Sequence, residues 1–170
     1  MTTMASAGSN VVDTGKVAGR RILHFDSIDQ LLDEIDRLAA AERAGRLKRV
    51  GNWTLGQALG HLATWAEYAY TGVPIKPPFF LRWILRFQRK KFFVGPMPAG
   101  VKIPKVAGGT LGTEALPLEE GLVRCKCVLE RLKNELPTLP NPIFGKLTHE
   151  DSIAVTLRHA ELHLGFFVPK

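Results

Sequence analysis

Five histidines are spread through this chain, and two of them, His159 and His163 in the segment His159-Ala160-Glu161-Leu162-His163, stand four residues apart. On a helix that spacing stacks two imidazoles on one face, about 6 Å apart along the axis, so both can reach a single metal ion. The segment is not the HExxH of zinc proteases, because Glu161 holds the third position and projects away from the pair. The pair alone is weak, since five histidines in a chain of this length give some i,i+4 pair in roughly one sequence in seven. A third ligand is needed, and His61 is the candidate: Ala58, Leu62, Trp65 and Ala69 mark its side of a helix as the inward one. Three unpartnered core histidines would be costly to bury, whereas a shared metal would satisfy all of them. The competing reading is packing, the commoner role of a single core histidine, with each ring hydrogen-bonded to the backbone.

Three neutral imidazoles leave one coordination position open, as in a catalytic rather than a structural zinc site, and water or a thiolate could bind there. Zinc or nickel suits an all-imidazole set best, while iron, manganese and cobalt stay open. Glu67 reads either as a support or acid/base for such a site or as a solvated helix-face charge. His24 reads as a surface histidine and His149 as a first-turn helix residue. Cys125 and Cys127, two apart, would sit about 200° from each other around a helix, which suits neither a disulfide nor a shared metal face; they read as structural thiols.

These side chains need helices to hold them, and the periodicity supplies four. Residues 1 to about 20 are small and polar without period and read as a flexible tail, leaving 21–170 as one domain. Arg21 to Phe25 could be extended. Ser27-Ile28-Asp29-Gln30 matches a capping box and opens a helix running to near Gly45, with Ile28, Leu31, Leu32, Ile35 and Leu38 on one side. Thr54-Leu55-Gly56-Gln57 opens a second, which Gly72 and Pro74 stop. Leu118 to Leu136 makes a third, and Thr148 caps a fourth that continues to about Phe167. Four amphipathic helices with one long connection between the second and third predict an all-α four-helix bundle.

Hydrophobic residues make up 45% and charged residues 23%, which excludes global disorder and collagen-like sequence. The opening residues lack the apolar run of a signal peptide, and no stretch of about 18 uncharged apolar residues follows, so the expected compartment is the cytoplasm. The net charge of +7 is concentrated. No acidic residue lies between Glu67 and Glu114, while eight basic ones do, leaving 15 basic against 16 acidic residues elsewhere. No recognition motif accompanies the charge, so nucleic acid is not the expected partner. The stretch FFLRWILRFQRKKFF places Arg82, Arg86, Arg89 and Lys90 on one helical face and Phe80, Trp83, Ile84 and Phe87 largely on another. Such a basic amphipathic helix could be a lid over the bundle mouth that meets an anionic cosubstrate, a packed crossover, or, less favoured, a contact with a membrane surface.

Gly51-Asn52-Trp53-Thr54-Leu55-Gly56-Gln57, then Gly60-His61-Leu62-Ala63, Asn141 to Thr148 and the HAELH segment together resemble the DinB/YfiT-like superfamily, over roughly residues 26–168, and most nearly a bacterial branch carrying a domain of unknown function. The resemblance implies a four-helix bundle with one histidine on the second helix and a pair on the fourth around a metal, here His61, His159 and His163. It implies activities such as thiol transfer from bacillithiol, mycothiol or glutathione, or maleylpyruvate isomerisation. Leu164-Gly165-Phe166-Phe167 departs from the pattern, standing where many such proteins have a further His or Gln. The expectation is a metal-dependent enzyme acting on a small molecule, an anionic one being a candidate, by thiol transfer or hydrolysis, with a low-molecular-weight thiol as a candidate cosubstrate. The alternative is a non-catalytic binding or stress-associated bundle in which the histidines are a structural staple. A homodimer is expected, from the habits of that superfamily and from apolar side chains in the central segment.

Overall fold

Three of the four long amphipathic segments begin where a side chain can satisfy the first backbone amides of a helix, and the computed structural model, which describes residues 11–74, 83, 87, 89–104, 106–141 and 143–170, shows how. At the start of α1 (Ile28–Arg43) the Ser27 hydroxyl accepts from the Gln30 amide at 3.2 Å, and the Gln30 side chain reaches back to the Asp26 amide at 2.8 Å. At the start of α2 (Leu55–Thr71) Thr54 accepts from the Gln57 amide at 3.1 Å. The Gln57 side chain does not complete the expected capping box; it donates to the Thr113 carbonyl at 2.8 Å and ties down the long connection. That connection carries α3 (Arg89–Val94) and a single 3₁₀ turn (Ala107–Gly109) before α4 (Leu118–Asn134). Thr148 caps α5 (His149–Leu164) by accepting from the Asp151 amide at 3.1 Å, with Glu150 and Asp151 in the first turn.

Two helix ends differ from the periodicity. The third long helix stops at Asn134 rather than Leu136, because Glu135 turns extended and Leu136 is half exposed, so nothing holds the last turn. The fourth stops at Leu164 rather than about Phe167. The chain turns at Gly165, and Phe167–Pro169 form β2, which pairs antiparallel with β1 (Leu47–Arg49), Leu47 opposite Pro169 and Arg49 opposite Phe167. Strands of three residues are too short to show a period, and this is why an all-α reading missed them. The protein is mostly helical with one small antiparallel sheet.

Leu31, Ile35 and Leu38 of α1, Leu55, Leu59 and Leu62 of α2, Leu129 and Leu132 of α4, and Leu157 and Leu164 of α5 meet in one core. Arg21 to Phe25 joins no sheet. The Arg21 amide donates to the Gly165 carbonyl at 2.8 Å, and the Phe25 amide donates to the Glu161 carboxylate at 2.6 Å. Upstream, where a loose tail was expected, residues 1–10 lie outside the described residues, but Val12 is held by a reciprocal pair of bonds to the Asn52 side chain, 2.8 and 2.9 Å. Most of the basic amphipathic helix likewise lies outside the described residues. Of its aromatic side, Trp83 and Phe87 are exposed and meet edge to face with centroids 5.0 Å apart, while α3 packs against α5 and sets Phe92 and Phe93 on Phe144. Among the described residues no helix is long and apolar enough to cross a membrane.

The helix pair with the most extensive contact is α2 and α4, and two glycines set its spacing. A Cβ on Gly121 would lie 2.4 Å from the Gly56 carbonyl oxygen, and a Cβ on Gly56 would lie 2.4 Å from the Leu116 carbonyl oxygen. Alanine has the better helix propensity by up to about 1 kcal/mol, but the clash here is with backbone, which cannot rotate aside. Gly121→Ala should therefore destabilise the protein by about 1–3 kcal/mol. Urea denaturation checks this, and a midpoint equal to or above wild type would show that the two helices can separate without loss.

Candidate metal centre

Helix α2 delivers His61 and helix α5 delivers His159 and His163, and the three rings meet through the same atom. His61 Nε2 lies 3.2 Å from His159 Nε2, and His163 Nε2 lies 3.1 Å from it. Across the triad, one donor nitrogen per ring falls within 4.8 Å of the others. Zinc–nitrogen bonds of about 2.0–2.1 Å at tetrahedral angles would put such nitrogens about 3.3 Å apart, so the spacing suits one ion.

The hydrogen-bond count points the same way. His61 Nδ1 sits 2.8 Å from the Leu111 carbonyl, which can only accept, so the ring proton is on Nδ1 and Nε2 carries a lone pair. His159 Nε2 then holds either one proton or one lone pair, and it faces two neighbours. A single proton cannot make good hydrogen bonds to both, and a lone pair would oppose that of His61. A cation among the three nitrogens resolves the conflict.

Burial keeps the rings neutral and ready to coordinate. Desolvation lowers His61 from its usual 6.5 to about 4, with the Leu111 and Gly112 backbone opposing, and lowers His159 to about 3, with help from His61. His163 is pushed well below 6.5 by desolvation, by the other two rings and by Arg20. His61 is buried, whereas His159 and His163 keep part of their surface towards a cavity.

Aromatic rings enclose the triad. Trp53 stacks on His163 with centroids 5.2 Å apart and planes 9° apart, and it tilts against His61 at 4.8 Å. Trp65 meets His61 and His159 edge-on at 6.2 and 6.0 Å. The loop that supplies the Leu111 carbonyl can approach α2 because Gly112 has φ +68°, and a Cβ there would sit 2.7 Å from Thr64. A cavity of about 1190 Å³ opens over the three histidines, walled by residues of α2, α5 and the segments around them, from Val12 to Phe144 before α5.

The remaining candidates are placed away from the triad. Glu161 is buried on the other side of α5, 2.6 Å from Arg158 and bonded to the Phe25 amide, so it is no base for the site. Glu67 forms a two-bond ion pair with Arg124 and faces the seam of α2 and α4. His24 is exposed at 3.6 Å from Glu161, and His149 Nε2 donates to the Leu132 carbonyl at 2.5 Å. Cys125 is buried, its thiol pushed up to about 12 by desolvation, and Cys127 is exposed. What sequence reasoning missed is the support: the Leu111 carbonyl, which has no side-chain signature, and Trp53, whose place just before the α2 cap was its only signal.

A family model described as a protein of unknown function (DUF1569) matches residues 17–170, and the chain belongs to that family. No curated protein and no solved structure matches it. This corrects the resemblance to the DinB/YfiT-like superfamily: the family that matches is a different one. Among the motifs behind that resemblance, the helix caps and the i,i+4 histidine pair recur in unrelated helical proteins and separate families poorly.

The depressed imidazoles have a consequence for the metal-free protein. Unfolded histidines protonate near 6.5, whereas His61 and His159 in the fold do so only near 4 and 3, so the unfolded state binds more protons in between. Stability should be full above about pH 6.5 and fall as the pH drops towards 4, by up to about 1.4 kcal/mol per pH unit for each imidazole. Urea unfolding of the chelated protein at pH 8, 7, 6 and 5 checks this against His159→Gln with His163→Gln, whose slope should be shallower. Equal slopes would mean that the rings are not desolvated.

Proposed function

We propose that this protein is a metal-dependent enzyme that holds one divalent ion, zinc or nickel, on His61, His159 and His163 and acts on a small molecule in the adjoining cavity. The observation that carries the reading is the meeting of three Nε2 atoms at a cavity wall with a hydrogen-bond count that does not close. Among the described residues the cluster contains no fourth protein ligand, which favours an open position over a closed staple. In this reading α1, α2, α4 and α5 act as a four-helix bundle with its metal between two facing helices.

The protein's own groups have separable tasks. The Leu111 carbonyl fixes the His61 tautomer, so that Nε2 is the coordinating atom. Trp53 fixes the plane of the His163 ring, and Trp53 and Trp65 keep water from the backs of the imidazoles. A bound divalent ion would supply Lewis acidity and a place to lower the pKa of water or of a thiol, which supports hydrolysis or thiol transfer. The cavity walls orient the substrate, and their apolar character strengthens every charge interaction at the histidines.

Untagged protein offered zinc and nickel and then desalted should retain about one equivalent per chain, and His159→Ala with His163→Ala should retain less than about a tenth. At a free-metal concentration of about 1,000 times Kd, binding adds about 4 kcal/mol, so chelation should lower Tm by roughly 10 °C in wild type and leave the double variant unmoved. Wild type that holds less than about a tenth of an equivalent of any transition metal would sink the proposal.

A further inference from the structure

We infer that the cavity over the histidines takes an apolar molecule bearing one anionic group, such as an aliphatic or aryl carboxylate or a derivative of one, rather than a multiply charged hydrophilic thiol. The inference rests on the metal-site reading for the chemistry at the histidines, and on the walls alone for binding.

The walls are the first ground. At about 1190 Å³ the cavity exceeds the roughly 300–1,000 Å³ of ordinary small-molecule sites, so it has room for a body well beyond a few atoms. Leu62, Val73, Phe92, Ile143, Val155 and Leu162, drawn from separate parts of the chain, give that body an apolar lining.

The polar groups are the second ground: four of those on the walls are already used, and Trp65 Nε1 is a buried wall donor without a partner among the described residues. Asn52 is spent on Val12, and Asn141 accepts from the Ile143 and Phe144 amides. Ser152 and Thr156 donate to the carbonyls four residues before them, on Thr148 and Ser152. A tripeptide-like thiol with two carboxylates and an ammonium would have to strip water from three charges, whereas the described charged side chains of the lining, Asp13, Lys102 and Lys146, are all exposed and none lies deep in the cavity.

Charge is the third. The described charged side chains on the lining are Asp13, Lys102 and Lys146, all exposed and hence at the mouth. Asp13 already accepts from the Gly15 amide and faces Lys16 at 3.9 Å. Lys102 and Lys146 have no ion-pair partner among the described residues. An anion at the mouth with an apolar body inward therefore matches the site, and it leaves the reacting bond of the body facing the histidines.

The test is fluorescence titration of the full, metal-loaded chain with 11-(dansylamino)undecanoic acid, followed by displacement with straight-chain carboxylates of six to twelve carbons, their methyl esters, and glutathione. Carboxylates should displace the probe with a gain of about fourfold per added methylene until the cavity is filled. The esters should be at least tenfold weaker, and glutathione should not compete at millimolar concentration. Lys102→Ala with Lys146→Ala should bring the carboxylates down towards the esters and leave the esters unchanged. Val155→Trp, which fills the wall, should weaken the probe tenfold with an unchanged circular dichroism spectrum. His159→Ala with His163→Ala should abolish metal retention but keep probe binding, so this inference and the metal reading fail separately. No probe binding, no dependence on chain length, glutathione competing as well as decanoate, or carboxylate binding that needs the metal and ignores both lysines would overturn the inference.

Discussion

Three imidazoles that face one another through the same nitrogen, with too few protons to bond them together, are the constraint around which this fold is arranged. The Leu111 carbonyl removes the one tautomer of His61 that would have let it donate to His159. That carbonyl can reach His61 only because the chain at Gly112 turns with a positive φ close against Thr64. The loop stays there because the Gln57 side chain holds Thr113, diverting the capping residue of α2 into a tether for the connection. Each link concerns the same few ångströms, and each makes the Nε2 lone pairs harder to satisfy with protons and easier to satisfy with a cation.

Helix α5 must also present its histidines in the right rotation, and its opposite face fixes that rotation. Arg158 and Glu161 are both nearly fully buried, form an ion pair, and hold the Phe25 backbone by its carbonyl and its amide. Burying two charges costs several kcal/mol each before their attraction offsets it, and Arg158 Nε has no partner at all. A pair of that kind is poor at raising stability over an apolar replacement, and its specific product is geometry. It locks the chain entering α1 to one face of α5, so that His159 and His163 have no freedom to turn from α2. The clamp and the triad lie on opposite faces of one helix, as the i,i+3 and i,i+4 spacings within Arg158 to His163 dictate.

The parts legible in the sequence were those with a period or a cap. Ser27, Thr54 and Thr148 announced three helix starts because a hydroxyl before an apolar repeat has few other uses, and the structure makes those three bonds. The three histidines stood out because two share a helix spacing and the third lies on an apolar face, and the fold brings them together. What stayed hidden was made of backbone or of very short elements. The Leu111 carbonyl has no residue signature, and the pairing of Leu47–Arg49 with Phe167–Pro169 is three residues long and joins distant parts of the chain. Family assignment failed for a related reason. Caps and an HxxxH pair report the physics of a helical site, not descent.

Whether such a site is a staple or a working centre turns on the fourth coordination position, and here the nearby carboxylates matter more than the histidines. Glu161 lies between the two histidines of α5 in sequence, but its position about 200° round the helix puts it on the far side, where Arg158 and the Phe25 amide hold it. Glu67 lies fewer than two turns beyond His61 on α2, yet Arg124 of α4 takes both its oxygens. The two acids nearest the histidines along their helices are therefore committed elsewhere by arginines, one in the core and one at a helix seam. The remaining direction out of the triad leads into the cavity, whose lining includes Trp65, Leu62, Val155 and Leu162. A staple gains nothing from leaving that side open, since a fourth protein ligand would stabilise it further. A catalytic site of the kind proposed would need it open, because the unfilled position is the one a substrate would occupy.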